Sequence, residues 1–199
     1  MIKELDETRL IEKSFCLQQT SMDGSHEKLC HSGHIKAFHI WPARRPLAAC
    51  RAVILATLIP DPGSKEERNT LCTKIGGKIT KKIISKKMPN GQIVERVKEE
   101  TEGGVLHWKR ELENSNLLTE LRKHVLDGSG GNPPRLIDPF AGGGAIPLEA
   151  MRLGCEATAI DINPVAWFIL KCTLEYPKKL ADKTFPLPDF ITDNEDYME

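Results

Sequence analysis

The stretch RLIDPFAGGGAIPLEAMRLGCEATAIDINPVA, residues 135–166, constrains the chain more than any other part of it. It reads as strand, glycine turn, helix, strand and helix. RLIDPF is a short apolar strand, and Gly142, Gly143 and Gly144 form a tight turn. AIPLEAMRLG is a helix with Pro147 in its first turn, stopped by Gly154. EATAIDI is a second strand, and Asn163 caps a further helix that starts at Pro164. A β-α-β unit of this kind belongs to an open parallel sheet, which sets an α/β class.

The turn DPFAGGGA, residues 138–145, lies at the carboxyl end of the first strand, the edge where such sheets bind ligands. No Gly-Lys-Ser/Thr follows, so it is no Walker loop, and its glycine spacing departs from the dinucleotide fingerprint. Asp161 ends the second strand 23 residues after Asp138, near the ~20-residue offset at which an acid meets ribose hydroxyls. A carboxylate there can accept from two vicinal hydroxyls. Its other reading is a helix cap, a place for which Asn163 is better set. Together the loop and the acid point to an adenosine-containing cofactor without a pyrophosphate, and S-adenosylmethionine fits best.

Four segments are distinguished along the chain. Residues 1–62 form a small, mainly helical N-terminal domain, in which ARRPLAACRAVILATL is a helix with Pro46 in its first turn and Pro60 after its end. Residues 63–104 form a lysine-rich hairpin or insert. Six lysines and no acid lie between Lys74 and Lys87, and Pro89-Asn90-Gly91 supplies the turn. Residues 105–134 are a helix over 105–126 and a linker opened by Gly128-Ser129-Gly130-Gly131. Residues 135–199 hold the sheet. They end in DFITDNEDYME, an acidic tail with five acids and no base.

With 28 basic and 28 acidic side chains the net charge is zero, which removes the simplest argument for nucleic-acid binding while leaving local patches open. No apolar run approaches the ~18 residues of a membrane span. The charged start MIKELDETRLIEKSF reads as no signal peptide, and six cysteines without a CxxC pair read as reduced thiols, so a cytoplasmic protein is expected. Cys30, His31, His34 and His39 match no familiar zinc spacing and are read as loop residues, with no metal site. Trp41, Arg44, Arg45 and Arg51 stand at the start of the first long helix, where cations oppose the helix dipole. They are candidates for DNA phosphates or a flipped base, against a plainer reading as charge pairs packing this helix on the later domain. The hairpin lysines are read first as a solvated face and second as a track for a DNA backbone.

The strings DPFAGGGAIPLEA and AIDINPVA resemble the cofactor motifs of amino-group DNA methyltransferases. GHIKAFHIWPARRPLAACRAVILATLIPDP is similar to the opening domain, of unassigned function, in a family of adenine-specific DNA methylases of bacteria and archaea, often found among phage-defence genes. The likeness covers about residues 8–62 and 105–177, and Pro42 stands where a second tryptophan is expected. It implies a partial Rossmann-like methyltransferase sheet that binds S-adenosylmethionine. Asp138, Phe140, Ala141, Gly142 and Gly144 would form the cofactor loop, Asp161 would hold the ribose, and Ile162 and Asn163 would lie beside the adenine. It also implies methyl transfer to the exocyclic amine of adenine in DNA, with restriction-modification or phage defence as the setting.

Catalysis in such enzymes belongs to an Asp/Asn-Pro-Pro-Tyr/Phe motif whose aromatic stacks on the flipped base. The sequence lacks it: Asn132-Pro133-Pro134 is followed by Arg135 and reads as a linker, so no catalytic residue is assigned. Only 38 residues follow Asp161, and the apolar helix VAWFILKCTLEY asks for burial in a larger structure. The expectation is an N-terminal piece or split half of a methyltransferase. Its partners would be DNA and a downstream catalytic half or companion defence proteins. The alternative is a non-catalytic module that grips DNA or a partner and keeps a relic loop.

Overall fold

The computed structural model describes residues 8–29, 39–87, 93–108 and 110–184. The Pro89-Asn90-Gly91 turn, Cys30, His31, His34 and the acidic tail lie outside the described residues. The chain is a mixed α/β structure with two small two-stranded sheets. It begins with helices α1 (Leu10–Lys13), α2 (Leu17–Leu29), α3 (Leu47–Leu58) and α4 (Lys65–Gly76). A hairpin of β1 (Lys78–Lys87) and β2 (Ile93–Glu102) follows, then a 3-10 turn at Arg110–Asn114 and helix α5 (Asn116–Asp127). The β-α-β unit comprises β3 (Arg135–Asp138), α6 (Ala145–Arg152) and β4 (Glu156–Ala159). Helix α7 (Pro164–Leu170), a π turn over Lys171–Glu175 and α8 (Tyr176–Leu180) complete the described chain.

Helix α3 is the hub. Leu47, Ala48, Cys50, Ala52, Ile54, Leu55 and Ala56 are buried, and α1, α2, α4, α5 and α6 all pack on it. The resulting core takes Leu10, Leu55, Ile75, Val105, Leu118, Leu121, Ala150 and Leu153 from every segment distinguished in the sequence. Its start is capped from outside. Glu27 at the end of α2 accepts the Leu47 and Ala48 N–H groups at 2.9 and 3.0 Å, supplying the anion that a helix N-terminus favours.

One charged contact lies inside this core. Arg51 is 1% exposed and Glu149 0%, and Arg51 Nε donates to Glu149 Oε2 at 2.6 Å. Arg51 Nη1 also donates to the carbonyls of Val105 and Leu106, both at 2.7 Å. Arg152 Nη1 donates to Glu149 Oε1 at 2.6 Å, and the Arg51 and Arg152 guanidinium carbons each lie 4.5 Å from the Trp108 ring centre. Arg51 is therefore unavailable to a DNA phosphate. The plainer reading of this arginine, a charge pair packing the first helix on the later domain, is the correct one.

Two of the helices differ from the sequence reading. The helix foreseen over 105–126 begins only at Asn116, because Val105 and Leu106 turn into the core and Ser115 caps α5 through the Leu118 N–H. Helix α4 is an addition to that reading, although Ser64 is a start signal: its Oγ accepts from the Glu67 N–H at 3.2 Å and donates to the Glu67 carboxylate at 2.8 Å. The apolar helix after Asn163 is not enclosed: Ala166, Ile169 and Leu170 are buried, whereas Trp167 and Phe168 are 53% and 58% exposed. In the hairpin two lysines of β1, Lys81 and Lys82, pair with glutamates of β2. Lys81 lies opposite Glu99, and both Lys82 and Lys98 donate to Glu100, at 2.9 and 2.7 Å.

Truncating one partner of the buried pair, as in Arg51→Leu or Glu149→Leu, should lower stability by about 3–5 kcal/mol in urea unfolding. The double variant should cost clearly less than the sum of the two, and single losses below about 1 kcal/mol would contradict the role given to the pair. Among the thiols, burial pushes Cys50 up to about 12 and Cys155 up to about 11. Exposed Cys172 should therefore react with a thiol reagent well before either of them in the native chain.

Candidate functional site

Strands β3 and β4 pair in parallel, Arg135 opposite Glu156 through Asp138 opposite Ala159. The ladder continues one step further, with Ile160 N–H donating to Asp138 O at 2.9 Å and Ala141 N–H to Ile160 O at 3.0 Å. That extension carries both predicted binding segments, 138–145 and 161–163, to the same carboxyl edge of the sheet. Leu136, Asp138, Ala157 and Ala159 alternate toward the α6 side, while Ile137 and Ile160 are 64% and 51% exposed.

The loop is held from within. Buried Asp138 accepts the Phe140 N–H at 3.1 Å. Gly142 and Gly144 have φ of 49° and 77°, the left-handed region open to glycine, and Gly144 is the residue before α6. Asp161 joins the two segments: Oδ2 accepts the Gly142 N–H at 2.7 Å and Oδ1 the Asn163 N–H at 2.8 Å. Each oxygen retains a further lone pair, so the carboxylate that fixes the loop can still receive hydroxyls. Asn163 caps α7 by accepting the Val165 N–H at 2.9 Å. Phe140 is 87% exposed and Ile162 fully exposed at the loop tips, while Ala141, Gly142 and Gly144 are buried.

The chain itself covers part of the loop. A turn in which Arg44 N–H donates to Trp41 O at 3.2 Å lays both side chains over the glycines. A Cβ on Gly142 would lie 2.7 Å from Trp41 Nε1, and one on Gly143 would lie 2.9 Å from Arg44 Nη2. The close approach that these glycines permit is thus used by the segment before α3. Of the four candidates for nucleic acid, Trp41 and Arg44 pack on the glycine loop, Arg51 is in the core and Arg45 is exposed. Desolvation holds the Arg44 guanidinium below its ordinary pKa, with Glu27 acting in the opposite direction.

A cleft of about 990 Å3 lies elsewhere, between α2 and the base of the hairpin, and is lined by Asp23, His26, Thr101 and His107 among others. Asp23 accepts from Thr101 Oγ1 there at 2.7 Å, and the two imidazoles lie 4.9 Å apart. None of the predicted cofactor residues lines it. The convergence of strand ends, glycine turn and carboxylate makes the sheet edge the stronger candidate. Among the described residues no group of three or more His, Cys, Asp or Glu side chains is arranged to hold a metal ion, and no helix is long and apolar enough to cross a membrane.

Sequence alone did not separate the three arginines. The distinguishing signal is local: Arg51 lies three and four residues from Ala48, Leu47, Ile54 and Leu55 on an apolar helix, whereas Arg44 and Arg45 precede it. Residues 14–83 match the sequence model of a family described as a protein of unknown function, DUF1156. That region contains α2, Trp41, Arg44 and the whole of α3. Neither a curated protein nor a solved structure matches the chain. The turn packed over the glycine loop lies within the stretch that matches this model.

Proposed function

We propose that this chain is the cofactor-binding part of a DNA methyltransferase that uses S-adenosylmethionine to methylate the exocyclic amine of adenine. The observation that carries the reading is the hydrogen bond from Gly142 N–H to Asp161 Oδ2, 2.7 Å long. It places the acid of the second strand against the glycine turn of the first, the juxtaposition a nucleoside needs for its ribose and its adjoining chain. Asp161 takes the ribose hydroxyls, Phe140 and Ile162 offer apolar surface to the adenine, and the glycine loop runs beneath the sulfur-bearing arm. The cofactor supplies the activated methyl group. The part of this chain is to orient it, and orientation together with electrostatics provides most of the rate in such transfers.

The Asp/Asn-Pro-Pro-Tyr/Phe element belongs to a further polypeptide segment in this reading. Support comes from the sheet. Parallel sheets are covered on both faces, yet Ile137, Ile160, Trp167 and Phe168 remain exposed beside two open strand edges. Additional strands and their crossover helices would cover that surface and bring the catalytic motif to the same carboxyl edge. The rival reading, a module that only grips DNA, loses some of its material because Arg51 is buried and Lys81 and Lys82 of the hairpin pair with glutamates. A defence role in bacteria or archaea follows the family likeness alone.

Titration calorimetry tests the ribose assignment. The chain should bind S-adenosylhomocysteine and discriminate against its 2′-deoxy counterpart, and Asp161→Ala should weaken the parent compound about 10–100-fold, as loss of hydrogen bonds to a charged group requires. The same variant should bind the two compounds alike. Undiminished affinity in Asp161→Ala, or discrimination that persists in it, would contradict the assignment.

A further inference from the structure

Two arginines, Arg44 before the hub helix and Arg51 in its second turn, hold their guanidinium groups out of solvent, and they are treated in opposite ways. Arg51 has a carboxylate, two carbonyls and an aromatic face. Arg44 has Nε, Nη1 and Nη2 all removed from solvent, and among the described residues none of the three has a hydrogen-bond partner. Glu27 acts on it through space, but the Glu27 oxygens accept the Leu47 and Ala48 N–H groups. A guanidinium that is neither hydrated nor bonded is among the least favourable groups a fold can enclose, and an anion removes the penalty.

We propose that Arg44 is the anchor for the α-carboxylate at the amino-acid end of the cofactor, an assignment that rests on the S-adenosylmethionine reading of the glycine loop. Position selects this anion over a DNA phosphate. The Arg44 nitrogens lie against Gly143, within the loop and out of solvent, whereas a phosphate track requires cations at the surface, such as the neighbouring Arg45. The loop then carries complementary groups on two sides. The Asp161 carboxylate on Gly142 N–H suits hydroxyl donors, and the guanidinium on Gly143 suits an anion. A ligand matching both has a ribose and a carboxylate joined by a short arm. The α6 N-terminus, which has no side-chain cap, adds a favourable dipole at the same place. The DUF1156 segment is thereby given a chemical task, closing the cofactor site from the side opposite the ribose acid.

The test compares S-adenosylhomocysteine with 5′-methylthioadenosine, which keeps the adenosine and thioether but lacks the amino-acid end. In calorimetry the wild-type chain should prefer S-adenosylhomocysteine, and Arg44→Met should lower that preference about 10–100-fold while changing methylthioadenosine affinity little. Because the variant removes an unpaired buried charge, the ligand-free chain should melt about 2–4 °C higher, which also shows that it folds. Arg44→Lys should recover part of the preference. A preference unchanged in Arg44→Met, an equal loss for both compounds, or a lowered melting temperature would overturn the assignment. Equal affinity of the wild type for both compounds would overturn Arg44 as the anchor while leaving the cofactor reading intact. Binding of neither would overturn the cofactor reading and this proposal with it.

Discussion

The ion pair between Arg51 and Glu149 is the contact on which the rest of the site depends. It joins residues 98 apart, one on the hub helix and one on the helix that follows the glycine loop, with both side chains out of water. Such a pair contributes little net stability beside an apolar replacement, but removing one partner leaves an uncompensated charge in the core. Its effect is therefore on geometry. With Arg51 on Glu149, α3 and α6 have one relative position, and the turn before α3 lies on the loop before α6. The Val105 and Leu106 carbonyls and the Trp108 ring complete the enclosure, which explains why the segment after the hairpin enters the core before α5 begins.

From that fixed position the two ends of the candidate site acquire different chemistry. Asp161 binds the loop through N–H groups and keeps acceptor capacity toward the open sheet edge. The Arg44 guanidinium nitrogens are held out of water, and among the described residues they have no hydrogen-bond partner. The fold thus satisfies one interior arginine with a carboxylate and two carbonyls, while among the described residues the Arg44 guanidinium beside the glycine turn has no hydrogen-bond partner, the contrast on which the anchor proposal rests. The exposed apolar surface of β3, β4 and α7 is a separate demand, of a kind that an apolar layer meets. The two demands are independent, since an anion satisfies one and an apolar layer the other.

Much of this was legible in the residues themselves. The β-α-β unit, its turn glycines, the Asn163 cap and the placement of Asp161 follow from local chemistry, and each occurs within one or two residues of its expected place. The strands are shorter than foreseen because pairing stops where the chain turns into the loops. Helix α2 was not legible. LQQTSMDGSHEKL has scant amphipathic pattern, and its Gly24 serves a contact with Pro46 rather than a turn. Helix α4 was announced by Ser64 and Glu67 but overshadowed by the lysines after it. The burial of Arg51 is signalled by its apolar helix neighbours, but its partner could not be read locally, because Glu149 lies in the other half of the chain. Arg44 and Arg45, adjacent in sequence, differ only in which of them the turn at Trp41 carries onto Gly143.

The central claim is that the segment before α3 and the glycine loop form one ligand-binding unit. Amide hydrogen exchange with and without S-adenosylhomocysteine tests it directly. The account predicts that ligand slows exchange at residues 141–146 and, together with them, at residues 43–48. Protection confined to the glycine loop, or protection at neither segment under saturating ligand, would contradict it.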